Sequence, residues 1–139
     1  MLKKAKDNLN AKNKNFLRGQ VIAELNLGFW VGLFKKKYKP EIWNKAGVFE
    51  NVFPYFDFKT ANRIGFIHPK LKQIKTIRNR ISHQEPLLNY SVSLDIFYSE
   101  LITVLNWLSP DVKNLLPEIC RFDEIWINNK DKINQFKQK

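Results

Sequence analysis

Pro69-Lys70-Leu71-Lys72-Gln73-Ile74-Lys75-Thr76-Ile77-Arg78-Asn79-Arg80-Ile81-Ser82 decides the fold class. Its apolar residues fall at Leu71, Ile74, Ile77 and Ile81, steps of three and four that put them on one face of a helix. The residues between are basic or polar, so the other face suits water. Alternation with a period of two, the mark of a half-buried strand, is not convincing anywhere in the chain. Glu85-Pro86 closes the segment, because a proline disfavours helical geometry in the residue before it. Upstream a helix begins near Lys59. Pro69 either kinks one long helix or stands in the first turn of a second.

The same spacing recurs on both sides. From Arg18 to Lys36, Val21, Ile22, Leu25, Phe29, Leu33 and Phe34 predict one continuous amphipathic helix. Gly28 and Gly32 lie one turn apart on it, each costing roughly 1 kcal/mol in helix propensity. That cost implies a second element packed close against their backbone. Lys35 to Lys37 suit the negative end of the helix, and Pro40 opens a short helix with Ile42 and Trp43 facing inward. Residues 47–58 read as irregular, their aromatics Phe49, Phe53, Tyr55, Phe56 and Phe58 capping one end of the core.

Toward the C-terminus, Ser91 or Ser93 N-caps a helix with Ile96, Phe97, Leu101, Val104, Leu105 and Leu108 as its apolar face. Ser109-Pro110-Asp111 starts another, with Leu115, Leu116 and Ile119 apolar, and a last helix runs from about Asp123. Trp107 and Trp126 read as core residues. The expectation is an all-α bundle of about five or six helices joined by short loops. It forms a single domain over residues 1–139, with basic ends at 1–15 (frayed, or a short solvated helix) and 128–139.

Composition narrows the partners. The 139 residues suffice for one core. With 44% hydrophobic and 14% aromatic residues the chain is globular, not disordered. Lys and Arg number 24 against 13 Asp and Glu, a net +11, which points to an anionic partner, nucleic acid ahead of a membrane surface. Many of the lysines cluster near the two ends, and the plainer use of such charge is solubility. A single cysteine, Cys120, excludes an internal disulfide, fits a reducing cytosol and reads as a small core residue. The longest apolar run, Leu27 to Phe34, is too short to cross a bilayer, and no signal sequence is evident. Two histidines and one cysteine make a zinc site improbable, and there is no glycine-rich phosphate loop or nucleophile elbow. No metal or other cofactor is expected.

The candidate chemistry lies at the end of the opening helix, where Arg78, Asn79 and His83 fall within six residues. An arginine binds phosphate as a planar, permanently charged fork. Histidine is the side chain suited to moving a proton near neutral pH. Cutting an RNA backbone without metal needs both. A base takes the proton of a 2′-hydroxyl, which attacks the adjacent phosphorus, and a cation stabilises the charge growing on the phosphate oxygens.

At helical pitch, Lys72, Thr76, Asn79 and His83 form a polar ridge, on which Asn79 and His83 can touch and fix the ring tautomer. Arg78 emerges about 140° around from His83, so the two meet on one phosphate most easily if two copies of the helix come together. Arg80, opposite the apolar stripe, with Lys70, Lys72 and Lys75, would hold the RNA backbone. The structural alternative has His83 capping the helix and Arg78 paired with Glu85 or another carboxylate. His68 reads as a loop residue without a role. The stretch Phe29-Trp30…Phe34-Lys35-Lys36-Lys37-Tyr38 could stack and clamp single-stranded nucleic acid, but an aromatic stripe at helical spacing is more often core, and Phe29 and Phe34 read as core residues.

Arg78-Asn79 followed by His83 resembles the R-x(4–6)-H motif of the HEPN superfamily of all-helical ribonucleases, and the chain most resembles its Abi-like (abortive infection) branch. The segments that carry this are Val21-Ile22-Ala23-Glu24-Leu25 with Gly28-Phe29-Trp30-Val31, then Trp43, then Ile77 to His83 with Glu85-Pro86, then Leu105-Asn106-Trp107-Leu108. Gln84 stands where members often carry a second histidine. The resemblance implies a helical bundle that dimerises along the motif helix and joins two Arg78/His83 pairs in one basic cleft. It implies metal-independent RNA cleavage in the cytoplasm, in phage defence or a toxin–antitoxin system, with an antitoxin or regulatory protein as a further partner. Two other readings stay open: a catalytically silent RNA-binding or dimerisation module, and a purely structural helical subunit.

Overall fold

The computed structural model describes residues 2–12, 18–87 and 93–137, and every regular element among them is helical. In chain order these are α1 (Leu2–Lys12), α2 (Arg18–Ala23), α3 (Leu27–Gly32), α4 (Val48–Val52), α5 (Arg63–Ser82), α6 (Leu94–Leu108), α7 (Pro110–Ile119) and α8 (Phe122–Lys137). A 3₁₀ turn at Lys36–Tyr38 and a π turn at Lys39–Trp43 lie between α3 and α4.

The long helix α5 organises the rest. It starts later than the sequence predicts, because Asn62 caps it by accepting the Gly65 N–H at 3.2 Å. A Cβ on Gly65 would lie 2.2 Å from the Asn62 amide, so this cap requires glycine there. The helix continues unbroken through Pro69, which settles the question of one helix or two. It follows that His68 is helical rather than in a loop.

Ile64, Ile67 and Ile77 are its fully buried residues. Ile64 and Ile67 pack with Phe34, Phe49, Phe53, Val104 and Trp107, and Trp43, Phe56, Phe66, Leu71 and Ile74 close over the cluster. The aromatics of 47–58 do cap this core, but through the short helix α4, and Tyr55 and Phe58 stay outside. Polar ends of the core indoles are satisfied: Trp107 Nε1 donates to Asp57 Oδ1 at 2.8 Å and Trp43 Nε1 to the Leu33 carbonyl at 2.8 Å. Lys70 of α5 pairs with Glu100 of α6 at 2.6 Å, tying these helices together.

Other expectations need correction. The Arg18–Lys36 pattern is two helices, because the Asn26 side chain accepts the Phe29 N–H at 3.0 Å and opens α3 where one helix would continue. This break, the short α4 and α1 raise the count to eight α-helices among the described residues. Of the two readings of the first segment the short helix holds for Leu2–Lys12, with Ala5 and Leu9 buried and its lysines exposed where described. Ile81, Ile96 and Ile119, all predicted to face inward, are 58%, 56% and 77% exposed.

Trp126 stacks on Phe122, which stacks on Tyr98, in a ladder outside the main cluster. Cys120 ends α7 half-buried, its sulfur 3.7 Å from the Tyr98 hydroxyl. Ser93 is the N-cap position of α6. The alternative cap Ser91, and residues 13–15 and 138–139 of the predicted basic ends, lie outside the described residues. No helix among the described residues is long and apolar enough to cross a membrane.

Candidate functional site

The end of α5 is built by its own backbone. His83 occupies the C-cap position, and its N–H donates to the Asn79 carbonyl at 2.9 Å. Gln84 follows with φ of 56°, in the left-handed region. Its N–H donates to the Ile81 carbonyl at 3.1 Å, and the Glu85 N–H donates to the Arg80 carbonyl at 2.8 Å. Those two bonds are the Schellman pattern that closes a helix and satisfies its last carbonyls. They also fix where His83 leaves the helix, one turn beyond Asn79.

Arg80 reinforces this turn from the side. Its guanidinium donates to the Pro86 carbonyl at 2.6 Å and lies 3.6 Å from the Glu85 carboxylate. Arg80 is thus half-buried over the turn. Glu85 pairs with this arginine, not with Arg78 as the structural alternative supposed.

Arg78 and His83 are both exposed. Arg78 Nη1 donates to the Asn79 amide oxygen at 3.2 Å, so Asn79 orients the arginine rather than the histidine ring. Beneath them, the Ser82 hydroxyl donates a hydrogen bond to the Arg78 carbonyl at 3.0 Å. Among the described residues no carboxylate pairs with Arg78. Its planar donors are therefore available to an anion from solution.

The remaining candidates separate along α5. Lys72 is exposed on the same polar ridge as Thr76 and Asn79. Lys75 is half-buried, its Cδ 3.8 Å from where a Cβ on Gly28 would stand. Lys70 is taken up by Glu100, with its ammonium 5.3 Å from the Phe66 ring centroid. Lys72, Arg78 and His83 are thus exposed and Lys75 partly so, whereas Lys70 and Arg80 are held in ion pairs.

His68 is the residue that sequence reasoning passed over. It lies half-buried on α5, four residues before Lys72. Burial holds its imidazole below the usual value, and the Lys72 and Lys35 ammonium groups add to the effect. The helical spacing of His68 and Lys72 was visible in the sequence, but nothing there indicated that Lys35 would approach them. Among the described residues no cluster of three or more His, Cys, Asp or Glu is arranged to hold a metal ion. Compared with family models, curated proteins and solved structures, the chain matches none.

Proposed function

We propose that the protein is a metal-independent RNA endonuclease of the HEPN type, similar to the Abi-like branch, that works as a homodimer. The observation that supports this most is the pairing of an uncommitted, Asn79-oriented Arg78 with an exposed His83 at a rigidly closed helix end. In this reading one His83 takes the proton from the 2′-hydroxyl of the RNA. The 2′-oxygen attacks the adjacent phosphorus, and the bond to the 5′-oxygen breaks. Water, or His83 of the other copy where that copy carries one, gives a proton to that leaving oxygen. Arg78 binds the phosphate oxygens, where negative charge grows in the transition state. The products are a 2′,3′-cyclic phosphate and a free 5′-hydroxyl. Lys72 and Lys75 contribute sequence-independent contacts to flanking phosphates.

The helical angle supports the dimer. Five residues at about 100° each leave Arg78 and His83 about 140° apart, so two copies of α5 side by side would join both groups at one phosphate. A cytoplasmic role in phage defence or a toxin–antitoxin system, under control of an antitoxin or regulatory protein, belongs to the same reading.

The test is RNA cleavage in EDTA by wild type, Arg78→Ala and His83→Ala. Fragments ending in 2′,3′-cyclic phosphate from wild type, with at least about a hundredfold loss in each variant, are expected. Cutting at the wild-type rate by His83→Ala would sink the assignment. Retarded migration of intact RNA in every lane would replace it with the catalytically silent binding module.

A further inference from the structure

A second basic surface lies between α1 and the end of α3. It is an open cleft of about 460 Å³, within the range of roughly 300–1,000 Å³ typical of small-ligand pockets. Gly28 and Gly32 line it, and a Cβ on Gly32 would meet nothing within 4 Å. The close packing inferred for both glycines from the sequence therefore holds only for Gly28, where Lys75 approaches. At Gly32 the missing side chain leaves empty space instead.

The walls are of two kinds. Phe29 and Tyr38 are half-buried rings that line the cleft but belong to no part of the main core cluster. Lys3, Lys35 and Lys37 line it with ammonium groups, and among the described residues no carboxylate pairs with any of the three. The Lys37 ammonium rests 4.7 Å from the Tyr38 ring centroid and covers one face of that ring, so cation and ring stand together at the cleft wall. Flat apolar walls suit a planar ring, and three unneutralised cations suit an anion. An unpaired nucleotide supplies both in one unit.

We propose that this cleft seats one unpaired nucleotide of a single-stranded RNA. Its base lies against Phe29 and Tyr38 above the gap at Gly32, and Lys3, Lys35 and Lys37 bind the flanking phosphates. The inference deepens the ribonuclease reading and rests on it for the identity of the polymer. It adds a strand-selecting subsite remote from Arg78 and His83. Lys35 connects the two, since its charge is felt at His68, whose neighbour Lys72 lies on the ridge leading to Asn79 and His83. From His68 to His83 that ridge is about 22 Å long, enough for several phosphates of an extended strand. Base pairing would hide the ring faces the cleft needs, so the subsite selects single strands over duplexes.

The experiment measures binding of a labelled short 2′-O-methyl oligouridylate by fluorescence anisotropy. The strand lacks the attacking hydroxyl, so the readout is independent of cleavage. Gly32→Leu, which fills the gap, and Tyr38→Ala should each weaken binding about tenfold, while Tyr38→Phe should stay within about twofold. Lys35→Ala and Lys37→Ala should each lower the slope of log affinity against log salt by about 0.7. Wild-type affinity in both Gly32→Leu and Tyr38→Ala, or an equal loss by them for a fully paired duplex, would overturn the proposal. Circular dichroism of each variant separates a filled cleft from a damaged fold, and the two variants alter different elements. These results are read without cleavage, so a failure of the subsite is distinguishable from a failure of the ribonuclease reading in the His83→Ala assay.

Discussion

Gln84 is the described non-glycine residue with positive φ, at 56°. An L-residue in that region costs roughly 1–2 kcal/mol relative to right-handed geometry, and glycine avoids most of it. The strain persists because the Schellman bonds and the Arg80 clamp on Pro86 determine the turn from both sides. Gln84→Gly should therefore raise stability by about 1 kcal/mol in urea denaturation and leave RNA cleavage unchanged. A loss of stability would mean that the glutamine side chain, not the backbone, holds the turn. The helix end was legible in Glu85-Pro86, but its geometry was not, because no glycine marks the left-handed position. The choice between Arg78 and Arg80 as the partner of Glu85 was equally hidden. It depends on the chain reversing at Gln84, which brings Glu85 back toward α5.

At the scale of elements, periodicity identified the all-helical class and the direction of the α5 face but overstated where that face is covered. The stripe Leu71, Ile74, Ile77 and Ile81 is a true helical face, yet exposure runs from 1% at Ile77 to 58% at Ile81. The sequence records the direction of a face and not the extent of the neighbours packed on it. Ile77→Ala should cost about 2–5 kcal/mol, whereas Ile81→Ala should cost less than about 1 kcal/mol, compared by thermal or urea unfolding. Similar costs at both positions would imply that a partner covers the last turn of α5 in solution. The split between α2 and α3 shows the complementary error. Val21 through Phe34 keeps helical spacing across Asn26, but one side-chain cap is enough to start a new helix within it. Such competition between a side chain and the backbone ladder leaves no trace in the apolar pattern.

Over the whole molecule the charge is uneven. Residues 1–80 hold 18 Lys and Arg against 5 Asp and Glu, a net +13, while residues 81–139 hold 6 against 8, a net −2. The basic part contains α3, its lysine-rich exit and nearly all of α5, so the field favours an anionic polymer on that side. Net charge and its excess before residue 81 were readable in the sequence, but the packing of α3 against α5 needed the fold. The proposed composite site gives this surface a consequence that a single chain lacks. If Arg78 of one copy acts with His83 of the other, Arg78→Ala and His83→Ala are each inactive alone. A mixed dimer of the two variants still holds one Arg78 and one His83 on opposite chains. Mixing the purified variants should then restore a measurable part of the wild-type cleavage rate, and specific activity of the wild type should rise with protein concentration until the dimer saturates. If the two residues instead act within one chain, the mixture stays as inactive as its components while the wild type cuts.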